Sequence, residues 1–267
     1  MGQGLALPVL SEDQGPPFTY TLDRASLLPP LALDVSPGQK VLDMCAAPGG
    51  KSLLLAEALF AAEEAKQDLG GELVCNEISD GRRQRLNAVL FDYLPQEVQA
   101  RVRVTSFDGA KWCLYEQEAF DRVLVDAPCS GERHLLAATE ELRSWSPTRG
   151  EILSHRQVAL LMSALRLLRP GGRVVYSTCS VSPRENDEVI ERVLEKAKGR
   201  AQVASMEWEF GEKTAFGWTV LPDRCEGAGP IFFSALERTH ESFLGDADQK
   251  STRPGHRWKS RHRPRRR

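Results

Sequence analysis

The chain has 267 residues, 41% of them hydrophobic and 27% charged, which fits a full α/β domain and excludes a disordered or membrane-embedded chain. Its net charge of −2 is uneven: nine Lys and Arg follow from Lys250 to the end with no Asp or Glu among them, leaving −11 on residues 1–249. An acidic body with a basic tail suits either a nucleic-acid contact made by an arm or a targeting or solubilising tail. Met1 to Tyr20 holds Glu12 and Asp13 and no basic residue, unlike a secretory signal or a mitochondrial presequence.

In chain order, Lys40 to Met44 reads as a short apolar strand ending at a glycine-rich turn, and Lys51 to Glu64 as the helix behind it. Glu72 to Cys75 is a second strand, and Asp80 to Tyr93 a helix with Leu86, Val89 and Leu90 at helical spacing. Val102 to Val104 gives a third strand and Asp121 to Val125 a fourth. Gly131 to Gly150 is a polar loop or short-helix insertion. Gly150 to Leu168 is a long amphipathic helix stopped by Pro170, Gly171 and Gly172. Its apolar stretch from Val158 to Leu168 is broken by Arg and Ser, so it does not read as a membrane span. Arg173 to Tyr176 is a fifth strand, Arg184 to Lys198 a further helix, and Ile231 to Leu236 a late edge strand. Strands separated by helices need crossover connections, which predicts a doubly wound, Rossmann-like α/β fold with a mostly parallel sheet.

On such sheets, ligands bind beyond the carboxyl ends of the strands. The turn Asp43 to Lys51 falls there, with Ala47, Pro48, Gly49, Gly50 and Lys51 opening a helix whose N-terminus favours a negative group. Glu77, after the second strand, is placed to accept hydrogen bonds from ribose hydroxyls, and Asp108, beside Gly109, to meet an exocyclic amine. Each feature alone also fits an ordinary turn; together they describe a pocket for a nucleoside-containing cofactor. A phosphate-binding loop is the rival, since Gly50-Lys51-Ser52 ends like one, but that motif needs glycine where Cys45 stands.

The six cysteines (Cys45, Cys75, Cys113, Cys129, Cys179 and Cys225) form no CxxC pair and have no His at ligand spacing, which argues against a metal site and a disulfide framework. Taken singly, each would be a small buried apolar residue. Cys129 and Cys179 differ, because each follows an apolar strand at the edge where the cofactor should lie.

The motifs Met44-Cys-Ala-Ala-Pro-Gly-Gly-Lys51, Val125-Asp-Ala-Pro-Cys-Ser-Gly131, Pro170-Gly-Gly and Tyr176-Ser-Thr-Cys-Ser180 resemble, in order, those of the NOP/Sun (Fmu-like) RNA cytosine-5 methyltransferases. The resemblance runs from about Asp23 to about Glu195. The wording of Val102 to Trp112 and of Glu132-Arg-His134 is most similar to the animal mitochondrial branch, which modifies small-subunit rRNA or tRNA.

The resemblance implies a class I methyltransferase domain over 23–240, with an extension over 1–22 and a disordered basic tail over 241–267. It implies S-adenosyl-L-methionine as cofactor, met by Ala47, Pro48, Gly49, Gly50, Lys51, Glu77, Arg82, Asp108, Gly109 and Asp126. It implies Cys179 as the nucleophile and Cys129 as the second cysteine, needed for product release, with Asp126 assisting. The expected partner is RNA, rRNA before tRNA, together with a separate RNA-binding protein and a mitochondrial location. Two other readings remain: a DNA cytosine-5 methyltransferase, in which the Pro-Cys motif supplies the nucleophile, and an RNA-binding assembly factor without turnover.

The chemistry explains why two thiols are useful. C5 of cytosine is too weak a nucleophile to accept a methyl group directly. A thiolate added at C6 makes C5 enamine-like, after which the C5 proton must leave and the thiolate be expelled. The base must also be unstacked to be reached.

Overall fold

Side-chain alternation decides how the central strands sit. In β1 (Lys40–Asp43), Val41 packs to one side of the sheet and Leu42 to the other; in β4 (Phe120–Asp126), Leu124 opposes Val123 and Val125. All of these are fully buried. Strands covered on both faces are what a parallel sheet between helical layers requires. The computed structural model describes residues 20–60, 70–131, 147–241 and 243. The 1–19 segment, residues 61–69 with the expected end of the first long helix at Glu64, most of the 131–150 insertion and the basic tail lie outside the described residues.

A 3-10 turn (Arg24–Leu27) and α1 (Leu28–Leu33) precede β1; α2 (Gly50–Phe60) and β2 (Glu72–Asn76) follow it. Next come α3 (Asp80–Tyr93), the single turn α4 (Gln96–Gln99), β3 (Val102–Thr105) and β4. The long α5 (Pro147–Leu167) runs directly into β5 (Leu168–Thr178), and α6 (Asp187–Ala197) follows. The end of the domain is β6 (Ala201–Val203), β7 (Glu212–Lys213), β8 (Trp218–Val220) and β9 (Ile231–Arg238).

The sheet order is β3-β2-β1-β4-β5-β9-β8-β7, with β6 also paired to β9. The first five strands are parallel, and β9 runs antiparallel to β5. This agrees with the doubly wound expectation and corrects one detail. The run from Ile231 is not an edge. It is an interior strand, with β5 on one side and β6 and β8 on the other. Its phenylalanines explain why: Phe232 and Phe233 are fully buried on opposite faces.

One face of the sheet packs on α1, α2 and α3 through Leu33, Leu55, Leu59 and Leu86; the other packs on α5 and α6 through Leu161, Leu165, Val189 and Val193. The start of the described chain is fixed by Asp23. Its Oδ1 accepts the backbone N–H of Ala25 at 2.8 Å, capping the 3-10 turn, and that of Gly229 at 3.2 Å from a distant segment. Tyr20 and Leu22 are thereby laid against the start of α2.

Chain order reverses between β1 and β4, whose register pairs Asp43 with Leu124. β4 and β5 then pair Asp126 with Ser177. The carboxyl ends of β1, β2, β4 and β5 therefore open at one edge, where a ligand crevice is expected.

Candidate active site

Two cavities meet at Cys45, on the turn between β1 and α2. The first, about 150 Å³, is lined by Asp43, Ala46, Ala47, Pro48, Gly50, Lys51 and Asp126, with Tyr20 and Leu22 above them. The second, about 190 Å³, is lined by Glu77, Ile78, Arg82, Phe107, Gly109, Pro128 and Arg156. The first sets two carboxylates against one ammonium. The second mixes apolar walls with one carboxylate and two guanidinium groups.

The glycines differ in what they require. A Cβ at Gly50 would come within 2.6 Å of Leu22, and one at Gly109 within 2.9 Å of Met44 and 3.0 Å of Leu160, so both keep cavity walls thin. Gly49 lies outside both walls. Its φ of 120° and the approach of Val89 to 2.9 Å make it a packing glycine between α2 and α3.

Glu77 is buried at the end of β2, with Oε1 accepting Ser79 N–H at 2.8 Å and Oε2 3.4 Å from Arg82. Arg82 also donates to the Ala47 carbonyl at 2.9 Å, tying the two turns together. Asp108 stands beside Gly109 with Oδ1 held by Arg156 at 3.2 Å, so the cavity wall includes Gly109 and Arg156 rather than Asp108 itself.

In the first cavity, Lys51 Nζ lies 2.8 Å from Asp126 Oδ2, and Asp126 Oδ1 accepts the Ser177 hydroxyl at 2.8 Å. Burial alone would lower the Lys51 ammonium. The Asp126 carboxylate outweighs it, with smaller help from Asp43 and Cys179, and raises the group above its ordinary value. Asp43 is fully buried; Oδ2 accepts Ser52 Oγ–H at 2.7 Å, while Oδ1 has no hydrogen-bond partner among the described residues. Burial pushes its carboxyl from 3.8 up to about 7, the Ser52 hydrogen bond opposing and Asp126 adding to the shift.

The sulfurs of Cys129 and Cys179 are 2.8 Å apart, on the loops that leave β4 and β5. Both are free thiols and both are partly accessible. The Cys129 thiol is raised well above its ordinary range, first by its hydrogen bond with Cys179, then by burial and by the charge of Cys179. At that distance one sulfur holds a proton that the other accepts, so the two thiols share a hydrogen bond. Cys45 and Cys75 are raised by burial and are inert by comparison.

Most of the sequence-selected residues thus gather at one sheet edge: Lys51 and Asp126 line one cavity, Glu77, Arg82 and Gly109 the other, and Cys129 and Cys179 stand on the loops beyond β4 and β5, while Gly49 and Asp108 line neither cavity. Sequence reasoning missed Arg156, Ser177, Gln157 and Glu185. Ser177 is signalled by its pairing position opposite Asp126; the others sit on a helix and a helix start and carried no separate signal.

A parallel β3-β2-β1-β4-β5 sheet continued by antiparallel strands, with its crevice at β1 and β4, is the class I methyltransferase fold. The structure of NSun6 from Pyrococcus horikoshii with SFG shares this fold, with a TM-score of 0.68 at 23% identity over 88% of this chain and 57% of that one. The family model described as 16S rRNA methyltransferase RsmB/F matches residues 30–237, and the chain belongs to that RsmB/F (NOP/Sun) family. It is 39% identical over 236 residues to the 5-cytosine rRNA methyltransferase NSUN4 of Xenopus laevis, covering 82% of this chain and 56% of that protein. To the mitochondrial tRNA (cytosine(34)-C(5))-methyltransferase of Danio rerio it is 37% identical over 234 residues, covering 83% and 61%. The chain thus spans somewhat more than half the length of these relatives.

Proposed function

We propose that this chain is an S-adenosylmethionine-dependent RNA cytosine-5 methyltransferase that works through a covalent link between Cys179 and C6 of its target base. The observation that carries this reading is the pair of sulfurs, 2.8 Å apart, from two separate strand ends beside Lys51 and Asp126.

The residues present fit the methyl donor. Glu77 would take the ribose hydroxyls, and Ile78, Phe107 and Pro128 would flank the adenine. Asp43 Oδ1, buried and unpartnered among the described residues, is an acceptor that a cationic amino-acid head would satisfy. When bound, the cofactor supplies an electrophilic methyl group and nothing else.

The remaining steps belong to the chain. Cys179, as a thiolate beside the Lys51 ammonium, adds to C6 and leaves C5 nucleophilic. Asp126, fixed by Lys51 and Ser177, stands where it can bind the amidine edge of the base as charge develops there. Forming the carbon–sulfur bond consumes the Cys179 thiolate and leaves Cys129 with its own proton. Cys129 can then lose that proton to solvent and, as thiolate, take the C5 proton as the bond to Cys179 breaks.

The printed substrates of the relatives support rRNA first and tRNA second, and the name of the Danio rerio protein supports a mitochondrial site of action. The domain would span 23–240, with 1–22 and 241–267 as appended segments. Tritiated-methyl transfer to RNA, read as 5-methylcytidine after nuclease digestion, tests the activity. Label in RNA that disappears in Cys179→Ala is the expected result. Cofactor binding without transfer would favour an assembly factor, and transfer confined to DNA the other enzyme reading.

A further inference from the structure

Glu185 is the best-satisfied buried carboxylate near the site, and the mechanism above does not use it. It ends the 3-10 turn Pro183–Glu185 between β5 and α6 and is fully buried. Its Oε1 accepts the hydroxyls of Ser130, in a short hydrogen bond, and of Ser180, at 3.1 Å. Its Oε2 accepts the backbone N–H of Ser130 at 3.0 Å and the amide of Gln157, on α5, at 2.8 Å. The same Gln157 nitrogen donates to the Pro128 carbonyl at 2.9 Å.

These partners are not scattered. Ser130 follows Cys129, Pro128 precedes it, and Ser180 follows Cys179. Asn186 completes the pattern: Nδ2 donates to the Ser180 carbonyl at 2.9 Å, while Oδ1 accepts the hydroxyl of Thr178, the residue before Cys179, at 2.6 Å. Residues on both sides of each cysteine are therefore tied, directly or through Gln157, to the dipeptide Glu185–Asn186. Four donors converge on two oxygens, a load that an ionised carboxylate accepts and a neutral amide does not.

We infer that Glu185 is a positioning residue that joins the Cys129 loop to the Cys179 loop and so sets the spacing and the shared proton of the two sulfurs. This inference rests on the two-cysteine reading. Its hydrogen bonds go to the neighbours of the cysteines rather than to the sulfurs, so it acts through geometry. Among the described residues, the titratable groups that face the pair are Lys51 from α2, Asp126 at the end of β4 and Tyr176 in β5. Asp126 links the two strand ends ahead of the cysteines through Ser177, whereas Glu185 joins the loops just after them through Ser130 and Ser180.

The test uses the full chain with Glu185→Gln, Ser180→Ala and Cys129→Ala, measuring iodoacetamide alkylation of Cys179 against pH, S-adenosylmethionine affinity and methyl-transfer kinetics. With Glu185→Gln the loops part, and Cys179 loses the hydrogen bond that it shares with Cys129. Its alkylation midpoint then rises by about half a pH unit or more, while kcat falls about 100-fold and KM and cofactor affinity stay within about threefold. Ser180→Ala removes one donor and moves both readouts less, in the same direction. It decides the matter if Glu185→Gln does not fold.

A midpoint unmoved in the folded Glu185 and Ser180 variants, or a kcat loss matched by an equal loss of cofactor affinity, overturns the assignment. The Cys129→Ala arm separates the two possible failures. An unmoved Cys179 midpoint there defeats the two-cysteine reading and this inference with it. A moved midpoint there, with no movement in the other two variants, defeats the role of Glu185 alone.

Discussion

An ammonium beside a carboxylate keeps its charge, whereas a carboxyl group taken wholly out of water holds its proton to higher pH. Both cases occur within the first cavity. Asp126 is satisfied by Lys51 and Ser177, while Asp43 keeps an unpartnered Oδ1 and titrates at about 7. Between the unfolded value of 3.8 and about 7, the folded chain binds a proton that the unfolded chain does not. Stability therefore falls as pH rises across that window, by at most about 4 kcal/mol, and the loss is complete above it. Asp43→Asn, neutral at every pH, should flatten that dependence. Urea denaturation of both proteins at pH 5 and pH 8 measures it, and identical slopes would mean that Asp43 ionises as it does in water.

At the scale of the elements, the strand ends carry the chemistry and the helices set the width of the crevice. Gly109 faces Met44 of the β1 turn and Leu160 of α5, with room for no side chain. Gly109→Val should thus narrow the second cavity and weaken S-adenosylmethionine binding about tenfold, or about 1.4 kcal/mol, by calorimetry. An unchanged affinity would place the cofactor elsewhere.

The same elements explain what could be read in advance. Apolar runs such as Lys40 to Met44 and Asp121 to Val125 are buried on both faces, so their positions and the loops after them were legible. The short β6, β7 and β8 were not, because runs of two or three residues carry no period. Gln157 and Glu185 were missed for a related reason. Each sits where a helix period or a helix start already accounts for a polar residue, and only the fold brings them to the same loops.

For the whole molecule, the charge division remains to be used. The acidic body would repel a phosphate backbone, and the nine basic residues from Lys250 onward, which lie outside the described residues, are the obvious counterweight. Truncation after Gln249 should weaken RNA binding and reduce the slope of log affinity against log salt by several units, since each neutralised phosphate contributes about 0.7 on single strands. Filter binding at several salt concentrations provides the check. A slope equal to that of the full chain would free the tail from any part in binding.

The most direct test of the account is whether RNA becomes covalently attached, and to which sulfur. After incubation with substrate RNA and S-adenosylmethionine, a denaturing gel should show a stable protein–RNA species with Cys129→Ala, which bonds the base and cannot release it. Cys179→Ala should show none. The opposite pattern, with attachment surviving loss of Cys179 and vanishing with Cys129, would contradict the assignment of the two sulfurs.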